Sequence, residues 1–320
     1  MNISRRLALL IVPLTALVLA SCSRQKQDER IVLGFSQIGA ESEWRTANTE
    51  SIKSAATTMN IDLRFADAQQ KQENQIKALR TFIAQKVDVI AFSPVVATGW
   101  DTVLQEAKAA GIPVILTDRA VTSDPSLYVG FLGSDFIEEG RKAGRWVSET
   151  FKDATADVNI VELQGTVGSA PANDRKSGFE EVIAANPHLK IIRSQSGDFT
   201  RAKGKETMEA ILKSESRKMH VLYAHNDDMA IGAIQAIEEA GFRPGKDIFI
   251  VSIDAVKGAF EAMIAGKLNA TIECNPLLGP QLMTSVAEVV AGRPIPKRIV
   301  VEETMFTMDT AKQYIQTRKY

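Results

Sequence analysis

The stretch "IVLGFSQIGAESEWRTANTESIKSAA", residues 31–56, predicts a strand, a polar turn and a helix in immediate succession. Residues 31–35 are mostly apolar and β-favouring, which is typical of a strand. Apolar residues recur at helical spacing over 52–59, in a helix that we expect to begin near Thr46. Between strand and helix, residues 41–45 bring two carboxylates, a hydroxyl, an indole and a guanidinium to the strand exit. So many hydrogen-bonding groups at this point indicate a binding site, with helix capping as the simpler alternative.

The same alternation of strands and helices continues along the chain. We expect strands at 31–35, 61–66, 87–92, 113–117, 158–163, 190–193, 220–224, 248–253 and 269–273. We expect further helices at 73–85, 100–110, 138–151, 175–185, 201–214, 229–240 and 278–291. Gly111 and Gly241 follow two of these helices, where a left-handed residue commonly ends a helix. The alternation predicts an α/β fold, in which helices cover both faces of parallel sheets.

The number of strand–helix units predicts two doubly wound parallel-sheet domains. The chain has 320 residues, and domains commonly have about 150. The series of units begins again near Gly133, and the last strand-like segment, 299–306, lies far from the other strands. We therefore expect this segment to cross between the domains.

The first residues carry the pattern of an export signal. Two arginines precede an apolar run at 7–20, which is followed by small residues and Cys22. The run is shorter than the ~20 apolar residues that span a bilayer, so a permanent membrane helix is the weaker interpretation. Residues 19–22 resemble a bacterial lipobox and predict a lipid on Cys22; an ordinary signal with an incidental cysteine is the alternative. We expect an exported protein, in the periplasm or on the cell surface, with a polar tether at 23–30.

Charge and cysteine content narrow the function classes. The chain has 38 Lys and Arg against 39 Asp and Glu, a net charge of -1. It therefore lacks the surplus of basic residues that would indicate a nucleic-acid partner. Cys22 and Cys274 are the only cysteines. If Cys22 carries a lipid, Cys274 has no disulfide partner and burial of the core must stabilise the fold.

Polar side chains follow the predicted strands at the edge where such sheets bind ligands. The set comprises Glu41, Ser42, Glu43, Trp44, Arg45, Ser93, Asp118, Arg119, Asn173, Arg175, Phe199, Asn226 and Asp254. Carboxylates accept from sugar hydroxyls, arginine donates in a rigid fork, and asparagine does both. Trp44 and Phe199 can cover the apolar face of a sugar ring. The set predicts a carbohydrate site; capping, core packing of Trp44 and an Asp118–Arg119 ion pair are the alternatives for single residues.

No catalytic or cofactor-binding motif accompanies these groups. The chain lacks G-x-G-x-x-G, G-x-x-x-x-G-K-[ST] and G-x-S-x-G. His188, His220 and His225 do not have metal-ligand spacing with one another. We expect no enzyme activity, no cofactor and no metal; a lipoprotein enzyme acting on carbohydrate is a rival that would need an acid/base pair.

Six stretches of the chain resemble type I periplasmic sugar-binding proteins, which serve ABC importers of the ribose and galactose kind. They are "GFSQIGAESEWRTAN", "DAQQKQENQIKALRTFIAQKVDVIAFSPVVATGW", "ILTDRA", "VELQGTVGSAPANDRKSGF", "IIRSQSGDFTRAKGKETME" and "YAHNDDMAIGAIQAIEEAGFRPGKDI". The resemblance runs from residue 31 to about residue 306. It implies two lobes joined by a three-crossing hinge, with boundaries at 31–133 plus 275–300 and at 134–274 plus 301–320.

The resemblance also implies a ligand, partners and site residues. The ligand would be a monosaccharide, galactofuranose or a related pentose or hexose, delivered by a monomer to a membrane permease and its ATPase. The ligand-binding residues would be Glu41, Ser42, Glu43, Trp44, Arg45, Asp118, Arg119, Arg175, Asn226 and Asp254, with Ser93, Asn173 and Phe199 as further contacts. Ribose-binding relatives have a glutamine near the second crossing; here Cys274 precedes Asn275-Pro276, and Glu273 is the candidate substitute.

Two alternatives share the fold. A periplasmic sugar sensor would have the same site and present its bound form to a chemoreceptor or a membrane kinase. A transcriptional repressor of related fold would need an N-terminal pair of DNA-binding helices, and the predicted signal peptide occupies that part of the chain.

Overall fold

Two six-stranded sheets organise the fold in residues 30–215 and 218–320, the part of the chain that the structure, a computed structural model, describes. The predicted signal peptide, the lipidation of Cys22 and the tether up to residue 29 lie outside these residues. Among helices in the described ranges, none has both the length and the apolar character needed to cross a bilayer.

The first sheet is built from the start of the chain and one late strand. Its strands are β1 (Val32–Gln37), β2 (Asp62–Asp67), β3 (Val89–Phe92), β4 (Val114–Thr117), β5 (Gly130–Gly133) and β11 (Arg298–Val300). They lie in the order β11-β5-β4-β3-β1-β2, and every pairing is parallel. Strands β3, β4 and β5 are buried along their whole length, as expected for a parallel sheet covered on both faces.

The second sheet repeats this plan. Its strands are β6 (Val158–Gln164), β7 (Leu189–Ser196), β8 (Val221–Ala224), β9 (Phe249–Asp254), β10 (Ala270–Glu273) and β12 (Met305–Thr307). They lie in the order β12-β10-β9-β8-β6-β7. The pairings are parallel except for the antiparallel edge pair β10–β12.

Helices cover both sheets and define two domains. The helices are α1 (Glu43–Thr58), α2 (Gln72–Ala84), α3 (Asp101–Ala109), α4 (Phe136–Thr150), α5 (Ala170–Ile183), α6 (Arg201–Glu215), α7 (Asp227–Glu239), α8 (Lys257–Ile264), α9 (Gly279–Val290) and α10 (Ala311–Tyr314). Short 3-10 turns lie at Pro125–Leu127 and Ile315–Thr317. The first domain is the first sheet with α1, α2, α3 and α9, and the second domain is the second sheet with the remaining helices. The predicted α/β architecture is confirmed.

The chain passes between the sheets three times: between β5 and α4, between β10 and α9, and between β11 and β12. The crossing predicted at 299–306 is confirmed, but the prediction of a single strand over these residues is wrong. The segment forms β11 in the first sheet and β12 in the second. Four residues between them carry the chain from one sheet to the other.

Local capping explains where helix starts differ from the sequence prediction. Helix α1 begins at Glu43, before the expected Thr46, because the Ser42 hydroxyl accepts from the Arg45 amide at 3.1 Å. Helix α5 begins at Ala170, five residues before the predicted 175, with Ser169 as its N-cap and a proline in its first turn. Strand β5 and helices α8 and α10 were not predicted.

Two predicted helix ends are confirmed by their backbone conformation. Gly111 has φ +73° and Gly241 has φ +83°. Both values lie in the left-handed region, which residues with a side chain rarely adopt.

Candidate functional site

A cavity lies where the carboxyl ends of strands from both sheets meet. It is lined by Glu41, Ser42, Trp44, Arg45, Asp118, Arg119, Phe136, Pro171, Arg175, Phe199, Asn226, Asp254 and Cys274. The space free of protein atoms is about 300 Å³, a volume that includes space open to solvent. Most of the residues selected from the sequence therefore converge on one cavity between the two domains.

Arg45 organises the side of the cavity that belongs to the first domain. Its Nη2 lies 2.7 Å from Asp118 Oδ2, and its Nε lies 3.0 Å from Glu41 Oε1. Ser93 is fully buried behind this pair, and its hydroxyl donates to Asp118 Oδ2 at 2.8 Å. Burial acts to raise the pKa of Asp118, but Arg45 and Arg119 outweigh burial and hold that pKa below its usual value. The carboxylate is therefore charged and fixed in orientation.

Arg119 and Glu41 each present a buried atom without a hydrogen bond among the described residues, although Arg119 Nε lies in ion-pair range of Asp118 Oδ2 at 3.7 Å. Arg119 Nη1 donates to the Val95 carbonyl at 3.0 Å, whereas among the described residues Arg119 Nε and Glu41 Oε2 have no hydrogen-bond partner. Burial and the nearby charge of Arg45 lower the pKa of Arg119 to about 10. An unpaired donor and an unpaired acceptor, both buried, are costly unless a ligand completes them.

Arg175 organises the side of the cavity that belongs to the second domain. Its Nε donates to Glu139 Oε2 at 2.7 Å and its Nη1 donates to the His225 carbonyl at 2.6 Å. Asp254 Oδ1 lies 3.8 Å from Arg175 Nη2. Burial raises the pKa of Asp254 well above its usual value, and Arg175 only partly opposes this rise. In its protonated form this carboxyl group can donate to a sugar hydroxyl through one oxygen and accept from one through the other.

Aromatic rings cover the apolar part of the cavity. Trp44 belongs to the first domain but packs into the core of the second domain, and its Nε1 donates to the Cys274 carbonyl at 2.6 Å. The Arg119 guanidinium lies 5.1 Å from the Phe199 ring centre. A Cβ on Gly165 would stand 1.9 Å from Phe199 Cζ, so Phe199 can occupy this position only because residue 165 has no side chain.

Three cavity residues other than glycine have a left-handed backbone. Asp118 has φ 60°, Phe199 has φ 61° and Asp254 has φ 126°. Such conformations cost about 1–3 kcal/mol and commonly occur at functional sites, where the surrounding structure enforces them.

Helix capping, the simpler alternative, is correct for two cavity residues without removing them from the cavity. The Asn226 side chain accepts from the Met229 amide at 3.0 Å and donates to the Phe199 carbonyl at 3.1 Å. Ser42 likewise caps α1. Both residues reach the cavity edge because the helices that they cap begin there.

Four residues selected from the sequence do not line the cavity. Ser93 supports Asp118 from behind. Asn173 is exposed on α5 because that helix starts earlier than predicted. Glu273 Oε1 accepts from Arg318 at 2.9 Å and from the Tyr320 hydroxyl at 3.0 Å. Glu43 faces the second domain beside the cavity, where its amide donates to Asp228 Oδ2 at 2.7 Å.

Sequence reasoning missed Phe136 and Pro171 as cavity residues, and it treated Cys274 only as a departure from the family pattern. Phe136 follows β5, a strand that the sequence did not reveal. Pro171 lies in the first turn of α5, whose start was predicted too late. A correct helix start would have identified Pro171 as a residue at the sheet edge.

Two glutamates and a thiol gather where the three crossings meet; Glu139 and Cys274 are buried and Glu303 is half-buried. Glu139, Cys274 and Glu303 each contribute one atom to a group within 4.8 Å of one another. Burial and the neighbouring Glu139 raise the pKa of Glu303 to about 9. Protonated Glu303 can therefore donate to the Glu139 carboxylate.

Comparison with known proteins gives the family. The model of the periplasmic binding protein domain matches residues 33–294. The chain belongs to the periplasmic binding protein family. It is 48% identical to the galactofuranose-binding protein YtfQ of Escherichia coli over 90% of this chain and 92% of that protein.

Solved members of the periplasmic binding protein family have the same fold. A Mycobacterium smegmatis structure in complex with β-D-fucofuranose is 58% identical, with a TM-score of 0.89 over 91% of this chain and 95% of that one. The binding component of the arabinose ABC transporter of Shewanella sp. ANA-3, bound to α- and β-L-arabinofuranose, is 50% identical, with a TM-score of 0.86 over 90% and 95%.

Proposed function

We propose that this protein is the substrate-binding component of a bacterial ABC sugar importer. It captures one monosaccharide, galactofuranose or a related pentose or hexose, between its two domains. The observation that carries this proposal is the cavity at which polar side chains of both domains converge. Glu41 Oε2 and Arg119 Nε supply an acceptor and a donor that have no hydrogen-bond partner within the described protein.

The chemistry of the cavity suits a sugar. The side chains of Glu41, Asp118, Arg119, Arg175 and Asp254 offer acceptors and donors to the hydroxyl groups. Those of Trp44, Phe136 and Phe199 offer apolar surface to the C–H face of a ring. Because the ion pairs already fix most of these side chains, binding costs little conformational entropy.

The sugars named for similar proteins favour a single sugar unit. Galactofuranose, fucofuranose and arabinofuranose are all monosaccharides. The furanose sugars named for the similar proteins support a five-membered ring as the preferred form.

The mechanism is closure of two domains around the ligand. The domains correspond to residues 31–133 plus 275–300 and residues 134–274 plus 301–320. A sugar that contacts both domains stabilises the closed form, which a membrane permease and its ATPase then recognise. The protein acts as a monomer, exported and anchored through Cys22, and it releases the sugar chemically unchanged.

Calorimetric titration tests the function. Wild-type protein should bind at least one of L-arabinose, D-fucose, D-galactose and methyl β-D-galactofuranoside. Asp254→Ala should weaken binding by at least about 100-fold, because a buried hydrogen-bonding group is lost. Asp62→Ala is the matched control, since Asp62 pairs with Arg64 on strand β2. No heat of binding with any pentose or hexose would contradict the proposal.

A further inference from the structure

A second set of polar contacts joins the domains beside the cavity. Glu43 is the first residue of α1, and its backbone amide donates to Asp228 Oδ2 of the second domain at 2.7 Å. Amides in the first turn of a helix have no partner within the helix. A carboxylate of the second domain therefore caps a helix of the first domain.

The Glu43 carboxylate makes the reverse contact. This carboxylate lies against Gly258, in the first turn of α8, and the Gly258 backbone amide favours its charged form. A Cβ on Gly258 would lie 3.0 Å from Glu43 Oε2, so the absent side chain leaves room for the approach. Each domain thus supplies an acidic side chain to the N-terminus of a helix in the other domain, where negative charge is favoured.

Arg201 lies between the two carboxylates. Its Nε and Nη2 contact Asp228 Oδ1 at 3.0 and 2.9 Å, and its Nη2 lies 3.6 Å from Glu43 Oε2. Without this guanidinium, two like charges would face one another across the domain interface. The Asp228 side chain is only 6% exposed, whereas Glu43 and Arg201 are exposed by 36% and 46%.

We propose that Glu43, Arg201 and Asp228 form an interdomain clasp that slows the release of bound sugar without touching the sugar. The inference rests on the proposed function and assigns to Glu43 a role different from ligand contact. None of the three residues is among the described residues that line the cavity. Because the contacts bridge the domains, they stabilise the closed form alone.

The clasp makes a kinetic prediction. Sugar leaves only after the domains separate, so a contact present only in the closed form slows dissociation. Association begins from the open form, in which these contacts are absent, and is unaffected. Since the clasp residues do not contact the sugar, they do not alter the preference for one sugar over another.

The test compares Arg201→Ala with wild type by stopped-flow measurement of L-arabinose and D-galactose binding. We expect the dissociation rate to rise by about tenfold, as for loss of a partly exposed charged contact between two surfaces. The association rate and the ratio of the two affinities should stay unchanged. Arg243→Ala is the matched control, because Arg243 is an exposed arginine of the second domain that pairs with Asp247. A dissociation rate within twofold of wild type, or an altered affinity ratio, would overturn the clasp.

A sugar-free measurement separates failure of the clasp from failure of the proposed function. If wild type binds neither sugar, the proposed function fails for these sugars. Spin labels at Glu73→Cys and Lys190→Cys, two exposed positions on different domains, then report the interdomain distance directly. A smaller closed population in Arg201→Ala supports the clasp, and identical distance distributions contradict it.

Discussion

Arg45 and Arg119 lie beside the same carboxylate and have different roles. Arg45 contacts Glu41, Asp118 and Gln37, so hydrogen bonds within the protein use most of the donors of the Arg45 guanidinium. Arg119 Nε lies 3.7 Å from Asp118 Oδ2 and has no hydrogen bond among the described residues, although only 3% of the residue is exposed. We infer that Arg45 fixes the geometry of the site and that Arg119 is kept available for the ligand.

The first prediction concerns Arg119→Met, which keeps an unbranched side chain, although a shorter one, and removes its charge. Sugar affinity should fall by at least about 100-fold, since a buried charged donor to the ligand is lost. The melting temperature of the sugar-free protein should stay the same or rise, because burial beside Arg45 is unfavourable for this guanidinium. Calorimetry and thermal unfolding measure the two effects.

Arg80→Met is the control for this prediction. Arg80 forms an exposed ion pair with Glu106, and its loss should change neither affinity nor stability appreciably. A large fall in the melting temperature of Arg119→Met would instead support a structural ion pair between Asp118 and Arg119.

At the scale of elements, the second sheet presents an aromatic ring to the cavity through a close approach. Strand β6 ends at Gln164, and the next residue, Gly165, lies against the Phe199 ring. Asp198 and Phe199 both have positive φ, so the turn before α6 turns the ring toward β6. The position of the Phe199 ring therefore depends on both Gly165 and the turn before α6, and these three features form one structural unit.

The second prediction tests this unit with Gly165→Ala. The new methyl group should displace Phe199, lower the free energy of unfolding by about 1–3 kcal/mol and weaken sugar binding. Adding Phe199→Leu to Gly165→Ala should restore part of the stability but not the affinity, because the smaller side chain relieves the overlap. Additive stability effects in the double variant would show that the two residues do not interact.

Much of the element pattern could be predicted from the sequence. The alternation of apolar runs and helical spacing predicted the buried parallel strands, because strands covered on both faces must be apolar throughout. It failed for β5, whose four residues include two glycines and give little strand signal. It also failed for the start of α5, where Ser169 and Pro171 were the available signals.

The site was predictable in part for the same reason. Asp118, Arg119 and Asp254 directly follow strands, and the edge of a parallel sheet brings such residues together. Glu43 and Glu273 show where this rule fails. Their neighbours, Asp228 and Arg318, are distant in the sequence, so only the three-dimensional structure reveals that protein groups already contact both carboxylates.

At the scale of the whole molecule, the three crossings meet at the cluster formed by Glu139, Cys274 and Glu303. Ser134 from the first crossing donates to Glu303 from the third, and Ser134 Oγ lies 3.4 Å from Cys274 Sγ at the second. The Asn275 amide also donates to Glu303 at 3.2 Å. Glu303 therefore links all three crossings.

The third prediction is that this link makes stability depend on pH. Burial and Glu139 raise the pKa of Glu303 from 4.5 to about 9. Between these values the folded protein holds a proton that the unfolded chain has released, so the free energy of unfolding falls as pH rises. The fall is at most about 1.4 kcal/mol per pH unit for one proton.

Glu303→Gln should remove much of this dependence, because the amide keeps hydrogen-bonding groups without a titrating proton. Chemical unfolding of both proteins between pH 5 and pH 9, about the limits of that interval, provides the measurement. Equal slopes in wild type and Glu303→Gln would show that Glu303 does not hold the proton.

The most direct test of the central claim is a crystal structure of the protein with L-arabinose. We predict one sugar between the domains, with hydroxyl groups within about 3.2 Å of Glu41 Oε2 and Arg119 Nε, and with contacts to Arg175 or Asp254 from the second domain. A sugar bound to one domain only, or a bound sugar that leaves both Glu41 Oε2 and Arg119 Nε without contact, would contradict the account.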